Sequence, residues 1–291
     1  MGSLYGFEIK SELPLRRLNA AAGTRGELRI EASPEPLESP GREPVSTLID
    51  STGHCWYASY ELEGGRCLLE LPPSASFLLE PEVGRIVVES RDGDAELLEH
   101  RIASSAICTL LAMRGDLVMH ASAVEVAGQA VLFCGPTLRG KSTLARALGE
   151  AGHRILGEDG VAIALDGDEP IAFPGARGVR VRHPGRGGEH RTSLVADPGC
   201  GEPRPCPGAA IVLLGDRTAA LEVEPLEPAQ ALALLTPNLI HSGGRASIGG
   251  AFARLATLLR SAPAFRVALP NDLGALPATA RRVLHIMGLR G

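Results

Sequence analysis

Residues 119–163, MHASAVEVAGQAVLFCGPTLRGKSTLARALGEAGHRILGEDGVAI, decide how this chain is read. At their centre an apolar run, Ala130–Cys134, ends in the stretch GPTLRGKST, Gly135–Thr143. A helical pattern, STLARALGEAG, follows and stops at Gly152. Gly135, Gly140, Lys141 and Ser142 satisfy G-x-x-x-x-G-K-[ST], the pattern of a phosphate-binding loop between a strand and a helix. The spacing has a physical cause. Glycines let backbone N–H groups turn inward around phosphate oxygens with no Cβ in the way. The helix that follows points its positive end at the same anion.

Lys141 is expected to reach the β- and γ-phosphates, and the Ser142 hydroxyl to ligate Mg²⁺. The expected contacts to ATP are therefore Gly135, Pro136, Thr137, Leu138, Arg139, Gly140, Lys141, Ser142 and Thr143. Leu138 and Arg139 stand where small residues are common, at positions that contribute only backbone N–H groups; Arg139 either adds a phosphate contact or faces solvent. Composition bears on chance. Of 29 basic residues only Lys10 and Lys141 are lysine, beside 35 Gly and 22 Pro, as a GC-rich coding bias would leave them. A lysine that persists where arginine would serve has a use for a compact ammonium. With two lysines and this glycine content, an accidental match is expected in roughly a few chains per thousand.

Outward from the loop, the pattern is mixed. Residues 1–98 read as a β-rich N-terminal domain: LYGFEI, CWYASYELE, RCLLEL and RIVVES are short apolar or alternating runs divided by turn residues. Ser33–Pro44 is a Pro- and Glu-rich connector. Residues 99–291 read as an α/β phosphate-loop domain. Leu97, Leu98, Ile102, Ala106, Leu110 and Met113 recur at helical spacing, predicting a helix over 97–114 capped by Gly115. LVMHASAVEV (117–126) and AVLFC (130–134) read as strands, with a tight turn between them. HRILGEDGVAIAL reads as strand, turn, strand. AAIVLLG and FRVALP are further strands; EPAQALALL, IGGAFARLATLLRSA and PATARRVLHIM are helices.

The formal net charge of −5 gives no electrostatic reason to expect nucleic acid as a partner. No apolar run approaches the ~20 residues of a membrane span, and the first residues lack a secretory core, so a cytoplasmic protein is expected. The six cysteines show no CxxC pair and read as free thiols. His183, His190, Cys200 and Cys206 fit no common zinc spacing.

Eighteen residues after Lys141 comes Asp159, preceded by Glu158. A carboxylate at a strand tip beside the loop could meet Mg²⁺ or an attacking hydroxyl, whereas GEDG is also good chemistry for a surface turn. His120, in an apolar strand, is either a packed residue or a group that tunes a nearby carboxylate. Arg177, Arg180, Arg182, Arg186 and Arg191 form a basic, Gly-rich segment: a lid over transferred phosphate, or a solvated loop. Asn238, His241 and Arg245 are a candidate substrate edge.

The histidine strand, the apolar strand, GPTLRGKST, its helix, GHRI and the acid pair together resemble the HPr serine kinase/phosphorylase family, through the whole of 119–163. The chain as a whole looks like the shorter HPr-kinase-like proteins of bacteria, which open with a segment like YGFEIKSELPL; some of these modify peptide precursors such as those of lasso peptides. The resemblance implies a mixed sheet with flanking helices and a kinase activity. It implies that Asp159 acts as general base toward a serine hydroxyl, that His120 contacts an acid of the pair, and that Lys141 and Ser142 hold phosphate and metal. Glu158 stands where the family has aspartate and is expected to serve Mg²⁺. FPGARGVRVRHPGRGG resembles an arginine-bearing stretch of the short relatives, with Arg180 at the arginine position, the fourth catalytic candidate. The longer downstream signature of the full family is not found, so the resemblance carries over kinase activity and leaves phosphorylase activity and HPr as partner open. The family forms hexamers, so a homo-oligomer is compatible with the resemblance, without a subunit count. The expected partner is a protein or peptide with a serine hydroxyl, with a small-molecule hydroxyl or a non-catalytic nucleotide module as alternatives.

Overall fold

A computed structural model describes residues 2–20, 23–49, 53–91, 93–165, 169–184, 190–195, 204–272 and 274–289, with backbone alone for 179–184, 190–195 and 209. The fold is mixed α/β, built on several sheets with few helices. Alternating residues drive the first sheet: in ELRIEA, Leu28 and Ile30 are buried between exposed Glu27 and Arg29. Its strands are β1 (Gly2–Leu4), β2 (Phe7–Ser11), β3 (Glu27–Ala32), β4 (Ser46–Ile49), β5 (Cys55–Glu61), β6 (Cys67–Leu71), β7 (Ala75–Glu80) and β8 (Arg85–Ser90). They lie in the order β1-β2-β3-β8-β7-β6-β5-β4. The four runs read as strands fall on β1–β2, β5, β6 and β8, and Ser33–Pro44 carries neither strand nor helix. Strands β3, β4 and β7 were not expected from the sequence; their short segments become strands by pairing with their neighbours.

One face of this sheet packs on a helix that has three parts: α1 (Ala95–Arg101), a π-helical stretch Ile102–Ala106, and α2 (Ile107–Met113). Asp94 caps its start through the Leu97 N–H at 2.9 Å, and the Asp116 N–H closes its end on the Leu111 carbonyl. The helix expected over 97–114 is present; its π-helical middle is not foretold by spacing. Leu28, Phe77, Leu79 and Ile86 share a core with Ile102, Ile107, Leu110 and Leu111, so burial is continuous across residue 98.

Beyond the helix the chain builds a four-stranded and a six-stranded sheet together. In order come β9 (Leu117–Met119), β10 (Ser122–Val126), β11 (Gln129–Cys134), α3 (Lys141–Glu150), β12 (Arg154–Gly157), β13 (Val161–Ala164) and β14 (Ile171–Phe173). A hairpin of β15 (Val179–Pro184) and β16 (His190–Val195) follows, then β17 (Cys206–Pro207), β18 (Ala209–Leu214) and β19 (Glu222–Leu226). The chain closes with α4 (Pro228–Leu235), α5 (Arg245–Leu258), β20 (Ala264–Ala268) and α6 (Leu276–Ile286). The six-stranded order is β12-β10-β11-β18-β20-β19, with β11, β18 and β20 parallel. Its strands alternate between two cores: Val131 and Phe133 meet Leu144 and Leu148 of α3, while Leu132 and Cys134 face Leu235 and Leu255. The four-stranded order is β17-β14-β13-β9.

Residues 117–126 are not one strand, as expected, but two in different sheets. β9 pairs with β13 in the four-stranded sheet, and β10 pairs with β12 in the six-stranded one. Two neighbouring chain segments, His120–Ala121 and Glu158–Gly160, therefore step from sheet to sheet side by side. Ser122 pairs with Phe133, so this corner stands at the end of β11 from which the Gly-rich loop springs.

Close packing under the corner yields a test. A Cβ on Gly160 would lie 2.3 Å from the Cys108 sulfur and 3.3 Å from the Tyr5 hydroxyl. Gly160→Ala is expected to lower unfolding free energy by about 1–3 kcal/mol in urea melts, as overpacking does. In a Cys108→Ala background the same change should cost less. Equal costs in the two backgrounds would contradict this packing.

Candidate functional site

The loop from β11 to α3 has the backbone its glycines allow. Gly135 (φ 126°) passes so close to β18 that a Cβ would sit 2.6 Å from the Leu214 carbonyl oxygen. Gly140, at φ 106°, precedes α3, and among the described residues no side chain caps the first turn of that helix. Leu138 marks the exposed tip with φ 69°. Lys141 folds back beneath the loop, where it is 7% exposed, and its Nζ donates to the carbonyls of Gly135 (2.8 Å) and Pro136 (3.2 Å). Among the described residues no carboxylate forms an ion pair with it. Burial lowers its pKa, and the nearby carboxylate charges, Asp159 first and then Glu158, oppose that shift. Arg139 pairs with Asp216 at 2.5 Å, a surface contact on the far flank of the loop. Ser142 and Thr143 lie half-buried in the first turn of α3.

At the corner, Glu158 is buried and Asp159 takes a left-handed backbone, φ 60°. The His120 Nδ1 lies 3.1 Å from the backbone carbonyl of Asp159. A carbonyl only accepts, so Nδ1 carries the proton of the neutral ring. The family resemblance leads one to expect His120 on an acid of the pair; its ring meets the backbone instead. The Asp159 carboxylate is met by a residue the sequence did not single out: His100 of α1, whose Nε2 lies 3.2 Å from Oδ2. His100 and Glu99 are the buried residues of α1, and helical spacing alone does not single out either as functional. Burial alone would raise the Asp159 carboxyl; the His100 hydrogen bond and charge, with His120 and Lys141, hold it well below the usual carboxylate range. His120 moves down, through burial first and then Lys141.

Asn238 joins the loop to the corner: its carbonyl accepts the His120 N–H at 2.7 Å, and its Nδ2 lies 3.4 Å from the Gly135 carbonyl. Its proposed companions His241 and Arg245 lie beyond it, with His241 Nδ1 accepting the Gly243 N–H. Arg180 sits in β15, opposite Leu194 of β16, and β15 runs beside α3; the Arg180 side chain lies outside the described atoms, as do Arg186 and Cys200 entirely. Ser142 and Glu158 carry hard oxygen atoms, the ligand type that Mg²⁺ takes. Among the described residues no cluster of three or more His, Cys, Asp or Glu could hold a metal by itself. No described helix is long and apolar enough to cross a membrane.

The His120 shift sets a pH dependence. Its folded pKa lies below the ordinary 6.5, so as pH falls through that value the unfolded chain takes up the proton first and stability declines. His241, also lowered by burial, adds the same sign. The melting temperature is expected to fall between pH 7 and 5.5, and His120→Gln to flatten part of that slope. An unchanged slope in the variant would show that His120 is not buried as neutral imidazole.

No protein-family model matches this chain, and no curated protein matches it. Among solved structures it is similar to the Hpr(Ser) kinase/phosphatase from Coxiella burnetii, at 13% identity and a TM-score of 0.33, over 59% of this chain and 95% of that one. At that TM-score the likeness carries no argument for fold or activity.

Proposed function

We propose that the chain is an ATP-dependent kinase that transfers the γ-phosphoryl group to a hydroxyl, with a serine of a protein or precursor peptide as acceptor. One observation supports this most: a buried ammonium, Lys141, whose hydrogen bonds among the described residues go only to neutral carbonyls, at the start of a helix that none of those residues' side chains caps. A desolvated cation with no carboxylate in direct contact is costly. A triphosphate resting on the loop amides would relieve that cost and offset the charge that Lys141 carries.

In this reading Gly135–Thr143 cradles the β- and γ-phosphates, and Lys141 leaves the Gly135 and Pro136 carbonyls for phosphate oxygens. Asp159 accepts the proton of the acceptor hydroxyl as its oxygen attacks phosphorus in line and the ADP oxygen departs. His120 fixes the backbone of Asp159 from behind, so the carboxylate does not swing away. Mg²⁺, held by Ser142 and Glu158, would neutralise charge on the phosphates. Arg180, on the hairpin beside α3, is assigned to the transferred group. Residues 99–291 would carry the chemistry and residues 1–98 buttress it, in an ATP-supplied cytoplasm and without nucleic acid as partner.

Asp159→Asn tests the role of the acid. Mg–ATP affinity is expected to stay within about threefold while phosphate transfer to serine peptides, read by mass spectrometry, falls by roughly 10²–10⁴-fold. Undiminished transfer would remove Asp159 as base. Transfer to small polyols and not to peptides would move the acceptor to a small molecule, and nucleotide binding without any transfer would leave a regulatory module.

A further inference from the structure

We infer that His100 is the positioning residue for the Asp159 carboxylate, and that through it the N-terminal sheet takes part in the chemistry. The inference rests on the reading of Asp159 as general base. His100 Nε2 lies 3.2 Å from Asp159 Oδ2 and 3.4 Å from Ser104 Oγ. The Ser104 hydroxyl gives its proton to the carbonyl of His100 itself, at 2.8 Å. Toward the ring, Ser104 can then only accept, as can an ionised carboxylate. Nε2 therefore carries a hydrogen and donates it, whether or not the ring is charged. Oδ2 is held; no described residue hydrogen-bonds Oδ1, and the Asp159 side chain stays 33% exposed. One oxygen is anchored and the other presented.

The helix that bears His100 is itself fixed from the N-terminal side. Glu99 Oε1, buried, accepts the backbone N–H groups of Arg16 (2.5 Å) and Arg17 (2.6 Å). Tyr5, fully buried, brings its hydroxyl within hydrogen-bond distance of both Ala103 O (3.2 Å) and Gly160 O (3.3 Å). Ala103 belongs to the π-helical stretch, and Gly160 directly follows Asp159. Tyr5 thus ties the widened turn after His100 to the very turn that His100 holds, and π-helical turns recur at functional sites. His120 secures the Asp159 backbone and His100 its carboxylate, from two different elements.

The test uses full-length protein. His100→Ala is expected to lower kcat about 10- to 100-fold, as displacement of a reacting group does, with the KM for ATP within about twofold. His100→Gln, whose amide can donate along a similar line, should regain most of kcat. In an Asp159→Asn background His100→Ala should cost nothing further, since both act through one carboxylate. Multiplying losses, or a folded Gln variant as poor as Ala, would overturn the assignment. Imidazole ¹⁵N spectra give a readout independent of catalysis: the His100 Nε2 resonance should move in Asp159→Asn, and a stationary resonance would refute the contact. A wild-type chain that transfers no phosphate while that resonance still moves would defeat the kinase reading and not the contact.

Discussion

Two adjacent strand pairs, β9–β13 and β10–β12, belong to different sheets, so the two segments that join them must turn at one level. That double step places His120, Glu158 and Asp159, the polar groups that α1 and α3 then meet through His100 and Lys141. It forces His120 and Glu158–Gly160 out of regular pairing at the end of β11 where the Gly-rich loop begins. Neither segment can shift alone without breaking a ladder in each sheet. The site therefore inherits its rigidity from two cores, one under α3 and one under the four-stranded sheet, and not from the loop.

Electrostatics at the corner are sorted by burial and mutual charge. Lys141 and His120 are both made harder to protonate by desolvation, and Lys141 adds to the shift of His120; Asp159 is kept ionised against its burial by the His100 hydrogen bond first, with Lys141 adding to it. The result is an imidazole that stays neutral near neutrality, an acid that stays charged, and an ammonium whose burial is uncompensated by any direct carboxylate among the described residues. Within a poorly solvated corner these assignments reinforce one another, because each unit charge is felt more strongly than in water.

Much of this is legible in the sequence. The loop announces itself through Gly135, Gly140, Lys141 and Ser142, since only that backbone and that ammonium satisfy the pattern, and α3 gives out just before Gly152 as its spacing predicts. The acid pair is marked by its distance from Lys141 and by GEDG. The break at His120 is not legible, because VMHASAV is apolar and alternates well enough for one strand; only the pairing partners reveal that it serves two sheets. His100 escapes for a related reason. A histidine on the inward face of a helix reads as packing, and its partner Asp159 lies far along the chain, across a sheet boundary no local pattern reports. The contacts of Tyr5 and Glu99 are likewise long-range.

In the proposed function Lys141 exchanges the Gly135 and Pro136 carbonyls for the tail of a triphosphate. Isothermal calorimetry of the purified chain with magnesium and either ATP or inorganic tripolyphosphate measures that exchange directly. Both ligands should bind saturably, and Lys141→Met should weaken each at least about tenfold, the scale expected when a single charge-assisted hydrogen bond is removed. Absence of binding by the wild-type chain, or equal affinity in the variant, would contradict it.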